Sequence, residues 1–283
     1  MTSIKRLLGQ LIAWGLLCLP AVSVSAQQVA DTLYLGGTII TVNDNAPRAE
    51  AVAVKNGVIL AVGTADDLEQ YRGGETAVFN LNGQTMLPGF VDSHGHVIMG
   101  GLQALSANLL APPDGEVKDI ASLQETLRSW IADNKSAIEK TTLIVGFGYD
   151  ESQLSEKRAP TRADLDAVTD DTPIYIVHQS GHFGVANSAA LKAAGISAQS
   201  EAPAGGIIRR VEGSQEPNGV LEENAHFQVL GSLMSNVGEE GFKDFARAGS
   251  KLWARFGYTT AQDGRATPIL MPIVKAVASE GGL

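Results

Sequence analysis

The residues best suited to do chemistry in this 283-residue chain lie in one short run, Asp92-Ser93-His94-Gly95-His96. In an extended strand, side chains two apart share a face. His94 and His96 can therefore present both imidazoles to one point while Gly95 lets the backbone pass close. Two neutral imidazoles so placed make half of a metal site. A bare His-x-His pair is also common without any such role, and an incidental pair stays open on these residues alone.

The elements that must position this run fall into two regions. From Asp31 to Leu87 the chain reads as short strands and tight turns: Thr32–Leu35, Thr38–Val42, Ala51–Val54, Val58–Val62 and Thr76–Leu81. Asn56-Gly57 between two β-rich runs predicts a hairpin, because both turn positions need positive φ. A small antiparallel sheet is expected, with a short helix after it capped by Thr64. Beyond Met86 the units lengthen. Strands are predicted at Phe90–Asp92, Thr142–Phe147, Pro173–His178 and Tyr258–Gln262, and helices over 122–139, 187–195 and 241–256. Strand and helix in alternation indicate parallel βα units, about four of them.

Composition removes several classes. With 31 acidic and 21 basic side chains the formal charge is −10, and Arg209-Arg210 is the one notable basic pair of the later chain. Such a balance does not make the Lys/Arg-rich face that nucleic-acid phosphates require. At 44% apolar and 18% charged residues the chain is an ordinary globular one. Residues 1–26 carry Lys5-Arg6, an apolar run to Leu19, Pro20, and the small-residue ending Val24-Ser25-Ala26. These are the parts of a secretory signal peptide cleaved after Ala26, too short to span a membrane comfortably. Cleavage removes Cys18, the single cysteine, so the mature protein is expected in a periplasmic or secreted setting with neither a disulfide nor a thiolate nucleophile. A Gly-x-Ser-x-Gly elbow and a phosphate-binding Gly-x-x-x-x-Gly-Lys-Ser/Thr loop are both missing.

The stretch Thr85–His96, with Leu87-Pro88-Gly89-Phe90-Val91 leading into the histidines, resembles the first barrel strand of the amidohydrolase superfamily of metal-dependent hydrolases. Upstream, Tyr34–Val42 and Ala53–Gly63 are similar to that superfamily's N-terminal β-sandwich strands. Downstream, Gly181-His182, Asn187–Leu191, Gly205–Arg209 and Gly219–Ala225 resemble the branch known as amidohydrolase 3. The resemblance covers essentially the whole mature chain. It implies an α/β fold in which residues 27–87 form the N-terminal part of a β-sandwich domain. Residues 88–283 then form a partial (β/α)8 TIM-type barrel of about its first four strands, with the C-terminal half missing.

Carried over residue by residue, the resemblance makes His94 and His96 metal ligands and gives Glu223 an acidic ligand or metal-bridging position. The alternative for Glu223 is a solvated carboxylate, with Glu222 competing for the role. His182 matches a position near the substrate pocket, where it would bind a substrate or stabilise an intermediate, against the alternative of a structural histidine. His178 reads as packing within its apolar strand, His226 as an ordinary helix-face residue, and Asp263 as a weaker pocket-lining candidate. The later histidine ligands and the catalytic aspartate of the superfamily have no counterpart here.

The implied cofactor is one or two divalent metal ions, Zn²⁺ by default for a His-rich hydrolytic site. The implied partner is a small-molecule amide-type substrate, with no nucleic acid and, after cleavage, no membrane. A homo-oligomer is expected from exposed strand edges. The expected function is exported, metal-dependent hydrolysis of amide or other non-peptide C–N bonds, carried here by an N-terminal fragment. Two alternatives stand beside it: a catalytically inactive or accessory fragment, and an exported ligand-binding protein with an incidental His-x-His.

Overall fold

The structure, a computed structural model, describes residues 28–282. The expected leader, with Lys5, Arg6, Cys18 and the cleavage point after Ala26, lies outside the described residues. The chain divides into two units, Met1–Pro88 and Gly89–Leu283.

The first unit carries β1 (Thr32–Ile40), β2 (Arg48–Lys55), β3 (Val58–Gly63), α1 (Ala65–Leu68), β4 (Ala77–Asn80) and β5 (Thr85–Met86). β1, β2 and β3 pair antiparallel. Between β2 and β3 the turn is Asn56-Gly57, at φ +50° and +74°, the left-handed values such a turn needs. Thr64 caps α1 by accepting the Asp67 backbone N–H at 3.1 Å. The short helix then carries the chain back across the sheet, so β4 and β5 run parallel to β1. That crossover is why the sheet is mixed where an antiparallel one is expected. Among the described residues the unit holds one five-stranded sheet. Leu33, Ala51 and Ala53 pack with Leu68 of α1, which buries one face.

The second unit runs β6 (Phe90–Val91), α2 (Val97–Ala104), β7 (Ala107–Asn108), α3 (Ile120–Asp133), α4 (Lys135–Thr141), β8 (Ile144–Tyr149), α5 (Arg162–Asp166), β9 (Ile174–His178), β10 (Phe183–Ala186), α6 (Ser188–Ala193), β11 (Gly206–Arg210), β12 (Pro217–Glu223), α7 (Asn224–Met234), α8 (Gly238–Arg255), β13 (Tyr258–Thr260) and α9 (Met271–Ser279). A six-stranded sheet has the order β11-β12-β10-β9-β8-β7, and β6 pairs with β13 in a separate two-stranded one.

The apolar run Ile174–Val177 shows why β9 is central. Ile174 and Ile176 pack with Leu123, Leu127 and Leu165 on one face, while Tyr175 and Val177 pack with Leu221, Val229 and Phe245 on the other. A strand covered on both faces needs no polar alternation. Asn187, fully buried, ties this strand to the helix after it: its Oδ1 accepts from Ile174 N–H at 2.9 Å and Ala190 N–H at 2.8 Å, and its Nδ2 donates to the Thr169 and Thr172 carbonyls at 2.9 Å each.

All four strands expected as successive parallel units are present, but they form two pairs in different sheets: β6 with β13, and β8 with β9. The larger sheet is then extended antiparallel through β10, β12 and β11. Strand and helix alternation fixes local direction and says nothing of which strand is the neighbour. Helix α8 joins the smaller sheet to α2 at a very close crossing. A Cβ on Gly101 would fall 1.8 Å from the Phe245 carbonyl oxygen, and one on Gly249 would fall 2.0 Å from that of Val97. Only glycine fits at either point.

Candidate active site

His94 and His96 lie beyond the end of β6, in the turn that leads into α2, so strand alternation is not what brings them together. Asp92 shapes that turn. Its Oδ1 accepts the His94 backbone N–H at 3.2 Å, and its Oδ2 accepts the Trp253 indole N–H at 2.7 Å and the Gln262 backbone N–H at 3.2 Å. The Trp253 bond, with the two backbone donors, holds the Asp92 carboxyl below the usual range despite some desolvation. The two imidazoles end edge to face, with ring centroids 5.3 Å apart. His96 pairs across to Asp263, and the Gly264 N–H donates to the Gly95 carbonyl at 2.7 Å.

Asp263 is engaged with backbone rather than lining the cleft. Its Oδ2 accepts the Ile98 N–H at 3.0 Å, in the first turn of α2, and its Oδ1 accepts the Arg265 N–H at 2.9 Å. Gly264 sits under the imidazoles: a Cβ there would lie 3.2 Å from His96 Cε1 and 3.5 Å from His94 Cε1.

Glu223 and His182 meet each other. His182 Nδ1 is 2.9 Å from Glu223 Oε2, and the Glu223 N–H donates to the His182 carbonyl at 2.8 Å. The carboxylate can only accept, so Nδ1 carries a proton and donates it to Glu223. Glu223 is held at φ +48°, ψ −122°, a region that disfavours a residue with a Cβ, where β12 gives way to α7. Its neighbour Glu222 is taken by an ion pair with Arg209, which separates the two acids that sequence leaves in competition.

His94, His96 and Glu223 do not form one three-ligand group. Among the described residues the single such group is Asp150, Glu151 and His178, with ligand atoms within 4.8 Å of one another. In that group Ser180 N–H donates to His178 Nδ1 at 3.0 Å, which leaves the ring proton on Nε2, 3.2 Å from Glu151 Oε2. That nitrogen faces the acids, with Asp150 Oδ1 at 3.8 Å. It is also packed between Tyr149 and Phe183, at centroid distances of 5.1 and 5.4 Å.

A cleft of about 490 Å³ is lined by His96 on one side and His182 on the other, with Gln179, Ser180, Trp253 and Arg265 between. Behind it, His226 is buried to 1% exposure, where an ordinary helix-face residue is expected. Its Nδ1 lies 2.8 Å from the Tyr175 hydroxyl, and it also bonds to the Gly181 backbone. Burial, with the positive charges of Arg265 and His182 nearby, pushes its pKa down to about 4. Trp253 and Arg265 were not legible as site residues, since neither sits in a His or carboxylate pattern. The adjacency of Arg265 to Asp263-Gly264 was the available signal.

Residues 77–283 match the model of the amidohydrolase family. The chain belongs to this family. Among its relatives, the N-substituted formamide deformylase of Arthrobacter pascens is 33% identical over 198 residues, 70% of this chain and 35% of that protein. Protein LONG AFTER FAR-RED 3 of Arabidopsis thaliana is 31% identical over 241 residues, 85% of this chain and 39% of that protein. An uncharacterized metal-dependent hydrolase of Pyrococcus horikoshii superposes with a TM-score of 0.63 at 21% identity, over 89% of this chain and 46% of that one, a likeness of fold. The chain spans less than half the length of each of these proteins.

A divalent metal is what this family implies, and the residues present suit it as a partial donor set. His96 Nδ1 is the one buried side-chain polar atom without a hydrogen-bond partner among the described residues. A buried ring nitrogen is rarely left unpaired in a native fold. It belongs to one of two converging imidazoles, over a residue that has no side chain to fill the space.

Proposed function

We propose that this amidohydrolase is an exported, metal-dependent hydrolase of amide or other non-peptide C–N bonds, and that the cleft between His96 and His182 holds the substrate. The observation that carries this reading is the unpaired, buried His96 Nδ1 beside His94 at the cleft wall. His94 and His96 would hold the ion, Zn²⁺ on the chemistry of imidazole donors. When bound, a divalent ion supplies Lewis acidity toward the scissile carbonyl and lowers the pKa of water.

The remaining work belongs to the chain's own residues. Asp92, locked to Trp253, keeps the histidine turn in place. Glu223 fixes the His182 ring, so that Nε2 can take a proton as a general base and return it to a leaving nitrogen. The oxyanion-stabilising role expected for His182 follows only after that protonation, when Nε2 becomes a donor and Glu223 balances the charge. Glu223 thus supports the base in this reading and is not itself grouped with the metal imidazoles. Export by the segment ending at Ala26, a small-molecule amide substrate and self-association are parts of the same proposal. Among the described residues no helix is long and apolar enough to cross a membrane.

Elemental analysis of the purified protein beside His94→Ala/His96→Ala tests it, with circular dichroism to confirm that both are folded. About one zinc or similar ion per wild-type chain, lost in the double variant, is expected. A folded wild-type chain with no metal would refute the metal reading for this chain.

A further inference from the structure

The chain carries 31 acidic residues and a net charge of −10, yet none of those acids lines the cleft. The polar side chains there are His96, Gln103, Gln179, Ser180, His182 and Arg265, so the one permanent charge is the Arg265 guanidinium. Its carbon lies 4.8 Å from the centre of the Phe227 ring. Stacking on a ring face restrains the plane of the guanidinium and leaves its N–H edges available. Those edges have no ion pair or hydrogen bond to a side chain among the described residues; the Arg265 contact with Asp263 is through the backbone N–H. By contrast Arg158, Arg209 and Arg247 are each matched to an acid. Arg265 lines the same cleft as His96, so a group held by Arg265 lies in the cleft that one of the metal-candidate imidazoles borders.

Resting on the hydrolase reading above, we propose that Arg265 is the residue that sets substrate class: it anchors a carboxylate, and the amides taken by this cleft are those bearing a carboxylate near the scissile C–N bond. A planar, restrained fork suits a carboxylate through two parallel N–H···O bonds, and the water-open cleft admits such a group without burying an unpaired charge. A neutral amide has nothing to place there.

The test compares binding of N-acetylglycine and N-acetylglycinamide to the full protein, metal-free after chelator treatment and again after zinc loading, by NMR titration. The wild type, Arg265→Met and Arg265→Lys are compared, with circular dichroism as the control for folding. Metal-free wild type is expected to bind the acid about tenfold or more tightly than the amide, the effect of one charge-assisted pair. Arg265→Met is expected to abolish that preference, and Arg265→Lys to keep part of it. Equal affinities for the two probes, no measurable binding of the acid, or a preference that survives in Arg265→Met would each overturn the proposal. A preference that appears only with zinc and survives in Arg265→Met assigns the carboxylate to the ion, so Arg265 fails while the metal reading stands. An Arg265-dependent preference in a chain that takes up no zinc leaves Arg265 in place and removes the metal reading.

Discussion

Mild acid should destabilise this protein through one residue, His226. In the fold its Nδ1 faces the Tyr175 hydroxyl and the ring also bonds to the Gly181 backbone, so the neutral ring is satisfied and buried. Its pKa falls from 6.5 to about 4, first through desolvation and then through the nearby positive charges of Arg265 and His182. Between these values the unfolded chain binds the proton and the folded one does not, so stability is full above pH 6.5 and declines as pH falls toward 4. At about 1.36 kcal/mol per pH unit the complete loss amounts to about 3 kcal/mol, of which about 2 kcal/mol is expressed at pH 5. The assay is urea unfolding at pH 7.5 and pH 5 for the wild type and His226→Gln, whose side chain does not titrate. The wild type should lose about 2 kcal/mol more than the variant over that interval. NMR titration of the His226 ring gives an independent reading should the variant fold poorly. A ring that titrates near 6.5, or an equal loss in both proteins, would refute the reasoning.

Asn187→Ala should cost about 3 kcal/mol or more in the same unfolding assay, because it strands the Ile174 and Ala190 N–H groups and two threonine carbonyls. A loss below about 1 kcal/mol would mean that water replaces those bonds. Glu223→Gly should be more stable than Glu223→Ala by about 1 kcal/mol, since both lose the His182 pair but only glycine accepts φ +48° without cost. Thermal melts of the two variants check it, and equal midpoints would show that the strain is not there. Phe227→Leu should weaken the preference for N-acetylglycine severalfold, less than Arg265→Met does, by freeing the guanidinium from the ring that restrains it. The same NMR titration reads it, and an unchanged preference would show that stacking does not position Arg265.

What could be read in advance was local. Asn56-Gly57 and Thr64 act within a few residues of themselves, and each does in the fold what its type and neighbours indicate. The His94-Gly95-His96 run was visible for the same reason, although a turn stabilised by Asp92, not a strand, gathers the rings. The missing part was long-range. Nothing beside Phe90 names Tyr258 as its neighbour, and the hydrogen bond from Trp253 to Asp92 crosses most of the second unit. Nor does a helical repeat show that His226 is buried against Tyr175, or that Glu223 meets His182 across a strand pair. Arg265 escaped notice because an arginine on a polar loop resembles any solvated cation until it is seen that no acid lines the cleft it borders.

The pairing of β6 with β13 also sets an order of events in time. During synthesis the histidine turn emerges early, but the strand and the indole that hold it arrive only after the whole six-stranded sheet has been made. That sheet draws its strands from a continuous stretch of chain and can form first, while closing β6 onto β13 bears the entropy of the long loop between them. A nascent or nicked chain would then carry an ordered sheet beside an unassembled histidine turn, and metal capture would be among the last steps of folding rather than a nucleus for it.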